Sequence, residues 1–280
     1  MEKLKLFRPL YDDLLFKEGL SRDENRLFLE YFLETMLDLP KGSTHKKLVV
    51  HYECPILKKN YFDKGIRADM LVDYLDYTID LECYTFFYEE AKEKTMCYAH
   101  RLASLFKIGD SYCRGKKIIQ IVIIQNMQIA FNKGIINEYL ITNTKDSKDT
   151  LCKDSFKLYY FLLNQLDNAQ TYNYNEDVKI RWLKFIAAKT EEERKTIAKG
   201  DALLMEFDKN LNEYMMDAKS KQYFQEWDLQ IYQHQAERRG IEKGQKRIAK
   251  NLLDKGLDLS FVQETTGLSK KELIQLQQEY

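Results

Sequence analysis

Proline and glycine are scarce in this chain, three and 11 of 280 residues, so it reads as continuous folded structure and not as linker. Five cysteines (Cys54, Cys83, Cys97, Cys113, Cys152) form an odd set without a C-x-x-C pair, which argues against a disulfide framework and a zinc ribbon. Cys97 and His100 stand three apart with no second ligand pair, so buried reduced thiols are the expectation. The longest apolar run, Ile118 to Ile124, falls far short of the ~20 residues that a membrane-spanning helix needs. The N-terminal MEKLKLFRPLYDDLLFK is too charged for a secretory signal. No charge of either sign is in excess: 44 Lys and Arg balance 44 Asp and Glu, so any basic surface must be local. A soluble, cytoplasmic protein without a membrane partner is the expectation, long enough for one large core or for a core with a helical appendage.

The informative stretch is IRADMLVDYLDYTIDLECY, residues 66 to 84. It reads as two strands joined by a tight turn at Asp76 and Tyr77. Alternation sends Asp69 to one face of the first strand and Ala68, Met70 and Val72 to the other. In the second strand Ile79, Leu81 and Cys83 share the apolar face, opposite Thr78, Asp80, Glu82 and Tyr84. Paired as a hairpin, the strands bring Asp69 and Glu82 to one surface, where two carboxylates suit a hard cation such as Mg²⁺. Acidic residues on the wet face of a half-buried hairpin are the plainer alternative.

The remaining chain alternates helix and strand signals, then turns wholly helical. A short helix is expected over residues 9 to 19, with Pro9 in its first turn and Gly19 as its stop. A capping box, Ser21 to Glu24, precedes an amphipathic helix carrying Leu27, Phe28, Tyr31 and Phe32. Strands follow at 47 to 57 and in the hairpin, then a helix from Phe87 to Phe106. The run from Lys116 to Gln125 reads as a central strand buried on both faces. Two further strands, 135 to 141 and 156 to 163, flank the exposed loop TNTKDSKDTLCKD. A mixed sheet flanked by helices, an α/β fold of mixed α+β character, is expected over 1–165, with an all-helical region over 166–280.

Within that helical region VKIRWLKFIAAK carries Trp182, and Thr190 to Glu193 forms another capping box. Between Gln235 and Lys255 seven basic residues (Arg238, Arg239, Lys243, Lys246, Arg247, Lys250, Lys255) face three acidic ones, a local balance of +4. That run is either a solvated helix face or a DNA-contacting one. Capping boxes at Ser260 to Gln263 and Ser269 to Glu272, with Gly267 between them, predict two short helices after it. Over about 245 to 280 this unit is either a helix-turn-helix DNA reader or a packing and dimerisation unit.

In this order the residues resemble the bacterial recombination-promoting nuclease and transposase family, a branch of the PD-(D/E)XK nuclease superfamily. The likeness begins with Asp13-Leu14-Leu15-Phe16-Lys17 and continues through Asp69 and Leu81-Glu82-Cys83-Tyr84. Tyr98, Gly109 and Tyr112, the Trp182 helix and the closing Gly240-Ile241-Glu242-Lys243-Gly244 complete it. The resemblance implies an αβββαβ core and metal-dependent DNA endonuclease activity linked to recombination or mobile elements. Asp69 and Glu82 would then be ligands of Mg²⁺ or Mn²⁺, and Arg238, Arg239, Lys243, Lys246 and Arg247 would help to hold DNA. The chain departs from the pattern at Tyr84, where the superfamily commonly has lysine and this family glutamine, and at Ala68, where a proline is usual. A phenol supplies no fixed positive charge. Lys17, Lys92 or Lys94 would have to fill that role, or the protein would act as a DNA-binding or protein-interaction module that cuts poorly. A homodimer would ease cutting of both strands, although nothing in the sequence requires one.

Overall fold

The computed structural model describes residues 7–56, 66–87, 89–103, 117–127, 134–150, 156–166 and 173–278. Gly109, Tyr112, Cys113 and Cys152 lie outside these, as does the loop between the first two strands. Two compact units are present, residues 1–216 and 217–280. The expected division after residue 165 differs from this one because the helices that follow pack back onto the first unit's second helix.

Unit one opens with α1 (Asp13–Ser21), capped by Asp12, whose carboxylate accepts the Leu15 N–H. Gly19 is not a stop. It sits inside α1, where a Cβ would come within 2.8 Å of a Leu211 methyl, so only glycine allows that approach. The box expected at Ser21 to Glu24 also does not form. Ser21 ends α1, a 3₁₀ turn covers Asp23–Asn25, and α2 (Arg26–Met36) begins without a side-chain cap bond. Asn25 is instead buried, donating to the Gly19 carbonyl at 2.6 Å and accepting from Asn210 at 2.9 Å.

Three strands follow: β1 (Val49–Ile56), β2 (Ile66–Tyr74) and β3 (Tyr77–Phe87). After α3 (Glu89–Ala103) comes β4 (Lys117–Met127), then β5 (Ile136–Tyr139), β6 (Thr142–Asn143), β7 (Asp146–Thr150) and β8 (Phe156–Leu162). The main sheet has the order β1-β2-β3-β4-β8-β5. Its β3–β4 and β4–β8 pairs are parallel and the others antiparallel, so the sheet is mixed as expected. Strand β4 lies mid-sheet with Ile118 to Gln125 all buried, which is why its apolar run is unbroken by alternation. Of the segment expected to be loop between the last strands, residues 142–150 instead fold into the small β6–β7 hairpin, and 151–154 lie outside the described residues.

Helices α4 (Val178–Ala187), α5 (Glu191–Ala198) and α6 (Ala202–Met216) complete the unit. The capping box at Thr190 forms: its hydroxyl accepts the Glu193 N–H, and the Glu193 carboxylate returns to the Lys189 N–H. Trp182 is fully buried, 4.4 Å from Phe28 between ring centroids, and Phe28 stacks on Phe207. Arg194, also fully buried, pairs with Asp208 and reaches Asn212, joining α5 to α6.

Unit two contains α7 (Ala218–Asp254), α8 (Leu259–Thr266) and α9 (Lys270–Gln278). Asp258, not Ser260, caps α8, while the Ser269–Glu272 box closes reciprocally at the start of α9. Gly267 takes a left-handed φ of 71° between them, the conformation that ends a helix with least strain in glycine. Among the described residues no helix is long and apolar enough to cross a membrane.

Truncating Phe28 removes the ring that joins α2, α4 and α6. Phe28→Ala should cost about 3–5 kcal/mol in equilibrium denaturation. A loss under ~1 kcal/mol would mean that this cluster contributes little to stability.

Candidate functional site

The hairpin turns at Leu75–Asp76, one residue earlier than expected, and Leu75 takes a left-handed φ of 54°. The register pairs Tyr74 with Tyr77, Leu71 with Asp80 and Met70 with Leu81. There the β2–β3 ladder stops, whereas β1 keeps pairing with β2 as far as Ile56 and Ile66. Ala68 lies in one apolar cluster with Leu71, Tyr98 and Leu102, so the alternation expected through Ala68, Met70 and Val72 breaks where the ladder opens.

The opening brings Asp69 and Glu82 together. The Asp69 backbone N–H, left without a strand partner, donates to Glu82 Oε1 at 3.1 Å. Each carboxylate then has its own lysine. Lys17 of α1 reaches Asp69 at 2.9 Å and also Asp13, one helical turn back, at 3.1 Å. Lys94 of α3 stands 3.5 Å from Glu82. Cys83 donates to the Tyr11 carbonyl beside α1, while its neighbour Glu82 meets Lys94, so the two helices approach from opposite faces of the sheet. Lys92, the third lysine considered, is exposed.

Tyr84 does not replace a cation. Its hydroxyl donates to Glu82 Oε2 at 3.1 Å, and its ring packs edge-on to Phe87. Burial and the adjacent Glu82 push the phenol far above its ordinary range, so it stays neutral. Burial, followed by Asp69 and Asp80, also pushes the Glu82 carboxyl well above the usual carboxylate range, against the pull of Lys94. Asp80, fully buried, is raised to about 7 by desolvation, with the Gln120 amide opposing.

Gln120 escaped sequence reasoning, although a lone polar residue in the run IIQIVII was its signal. Its amide nitrogen donates to Asp80 Oδ2 at 2.9 Å and to the Thr95 carbonyl of α3 at 3.0 Å. It thereby ties the helix turn that bears Lys94 to the strand that bears Glu82.

The donor set fits a hard divalent ion. The buried Glu82 carboxyl, repelled by Asp69 and Asp80, would be relieved by such a charge. Among the described residues no group of three or more His, Cys, Asp or Glu could hold a metal, so further positions would fall to water and phosphate oxygens, as Mg²⁺ prefers.

The basic run lies on α7 in unit two. Arg239, Lys243 and Arg247 are exposed, Lys246 pairs with Glu242 at 2.6 Å, and the side chain of Arg238 lies outside the described ones. Ala249 near the end of α7 packs with Val262 of α8, Leu268 of the turn that follows it and Leu273 of α9. Three helices around one small core, with a glycine between the last two, form a helix-turn-helix.

An αβββαβ core with two carboxylates at an opened hairpin defines a nuclease-type fold of the PD-(D/E)XK class. Residues 10–240 match the family model of the PD-(D/E)XK nuclease family transposases, and the chain belongs to that family. Residues 242–278 match the C-terminal HTH domain of the Rpn/YhgA-like nuclease family. A search of curated proteins found no match. Of the two readings of the tail, the second match selects the helix-turn-helix.

The raised Glu82 carboxyl has a consequence for stability. The folded protein holds this proton more tightly than the unfolded chain. The linked stability is therefore full below the unfolded pKa of ~4.3 and is lost as pH rises through the folded value. Glu82→Gln removes that loss. With chelator present, its Tm should exceed the parent's by more at pH 8 than at pH 5, and the reverse order would contradict the assigned cause.

Proposed function

We propose that this protein is a metal-dependent DNA endonuclease, with Asp69 and Glu82 as its metal ligands and Mg²⁺ or Mn²⁺ as its cofactor. The observation that carries the reading is the Glu82 carboxylate closed onto the backbone of Asp69, inside a chain of nuclease family. The bound cation would polarise the phosphoryl oxygen and lower the pKa of a bound water. Hydrolysis of a phosphodiester forms one P–O bond to water and breaks the opposite P–O ester bond, with a proton passing to the departing oxygen. The chain's residues prepare this step. Lys17 fixes Asp69 from α1, Tyr84 orients Glu82 through its hydroxyl, and the packed faces on both sides keep the pair ordered.

DNA is the proposed partner, held in part by Arg238, Arg239, Lys243, Lys246 and Arg247. Phosphate contacts of this kind give salt-dependent affinity without sequence preference. The division of labour is a nuclease-like core with a helical, DNA-binding C-terminal region. A role in recombination or at mobile elements of a bacterial cell, in the cytoplasm, is in keeping with a family of transposases.

One observation favours a second reading. Tyr84 leaves β3 without a positive charge beside the carboxylates, and loss of one preorganised electrostatic partner typically lowers rate by ~10²- to 10³-fold. A nuclease-fold protein that binds DNA and cuts poorly would look the same in the rest of its structure.

Conversion of supercoiled plasmid to nicked and linear forms separates the two. The native protein should cut with Mg²⁺ or Mn²⁺, stop in chelator, and lose at least ~10²-fold in rate in the Asp69→Ala, Glu82→Gln double variant. Binding without cutting under every metal would leave the second reading standing.

A further inference from the structure

Two lysines approach the carboxylate pair, and their surroundings differ. Lys17 spans Asp13 and Asp69 at 3.1 and 2.9 Å, and its side chain is only 18% exposed. Its charge is already shared between two acids. Lys94 meets one carboxylate, Glu82, at the longer distance of 3.5 Å, and its side chain is 40% exposed. Its ammonium lies 5.2 Å from the ring centre of Tyr84 and 4.9 Å from that of Tyr98. Two aromatic faces thus hold this cation in place beside its single carboxylate partner.

The helix turn behind it is also fixed. Thr95, the next residue, gives its carbonyl to Gln120 of β4, and its hydroxyl donates to the Ala91 carbonyl at 2.8 Å. Charge balance says what such a cation would serve. Two carboxylates and one divalent ion sum to zero, so an incoming phosphodiester would leave one negative charge uncompensated. Among the described residues Lys94 is the half-exposed positive group at that point.

We propose that Lys94 binds the phosphate of the DNA strand beside Glu82, supplying from α3 the positive charge that Tyr84 cannot supply from β3. The proposal rests on the endonuclease reading above for its catalytic consequence, but the phosphate contact itself is measurable without cutting. Tyr84 and Tyr98 form the platform for the ammonium, and Gln120 is a positioning residue that sets the depth of the helix turn. Lys17 is assigned to holding Asp69 and not to touching substrate.

The test uses the full chain and two readouts. The first is plasmid nicking in Mg²⁺ or Mn²⁺ by the native protein and by Lys94→Met, Lys94→Gln and Lys94→Arg. The second is calorimetric affinity for the 5′-phosphorylated thymidine dinucleotide in Ca²⁺ buffer. Lys92→Met is the control, since it removes an exposed charge from the same helix. Circular dichroism establishes that each variant is folded, and Gln stands in for Met should Met fail to fold.

The expected result is a kcat lowered about 10²- to 10³-fold in Lys94→Met and Lys94→Gln, with Arg within about tenfold of native. Dinucleotide affinity should fall about tenfold in the first two, a loss of one charged phosphate contact, and stay unchanged in the control. Adding Tyr84→Lys to Lys94→Met should recover much of the rate. Folded Lys94 variants that cut and bind like the native protein would overturn the assignment and leave the nuclease reading intact. A native protein that fails to cut under either metal would overturn the nuclease reading instead. In that case the dinucleotide alone decides: Lys94-dependent binding upholds the contact, and Lys94-independent binding, or none, overturns it.

Discussion

The arrangement depends on one place where a β-ladder ends early. Had β2 and β3 stayed paired past Met70 and Leu81, the Asp69 N–H would have gone to a backbone carbonyl and Glu82 would have remained an ordinary strand residue. Because the strands part there, the freed N–H is satisfied by the Glu82 carboxylate. That bond brings two acids together in a largely buried setting, which is costly unless cations approach. Lysines from helices on opposite faces of the sheet answer that cost, one for each acid. The helix positions therefore follow from the electrostatics of the opening as much as from apolar packing.

The same opening explains which residues around it are polar. Asp80 and Gln120 are buried within the sheet and facing α3, where apolar residues would pack more simply. The Gln120 amide, donating both to Asp80 and to the Thr95 carbonyl, fixes the height of α3 against the strands. A sheet–helix contact made only of aliphatic side chains could slide by a fraction of a turn, and Lys94 would then miss Glu82.

Much of this was legible in the sequence because period and polarity agree there. The unbroken apolar run at Ile118 to Ile124 marks β4 as central, and alternation from Thr78 to Tyr84 separates the acidic face from the apolar one. Alternation could name Asp69 and Glu82 as candidates for one surface, but their meeting depends on the turn falling at Leu75–Asp76, one residue earlier than expected. The break in alternation at Ala68 could not be anticipated, since it comes from ladder geometry that no local pattern encodes. Capping signals were less dependable where several polar residues compete. Asp258 won over Ser260, and the Ser21 box lost to the end of α1, whereas the isolated boxes at Thr190 and Ser269 formed. Lysines on distant helices could be named as candidates, but only tertiary packing assigns Lys17 to Asp69 and Lys94 to Glu82.

Direct binding of Mn²⁺, read by calorimetry or by loss of the free ion's paramagnetic signal, addresses the centre without relying on catalysis. One ion should bind per native chain, and Glu82→Gln should weaken it by at least about tenfold, since one of two anionic ligands is lost. Equal binding by the native chain and by Glu82→Gln would contradict the assignment of Asp69 and Glu82 as the metal-holding pair.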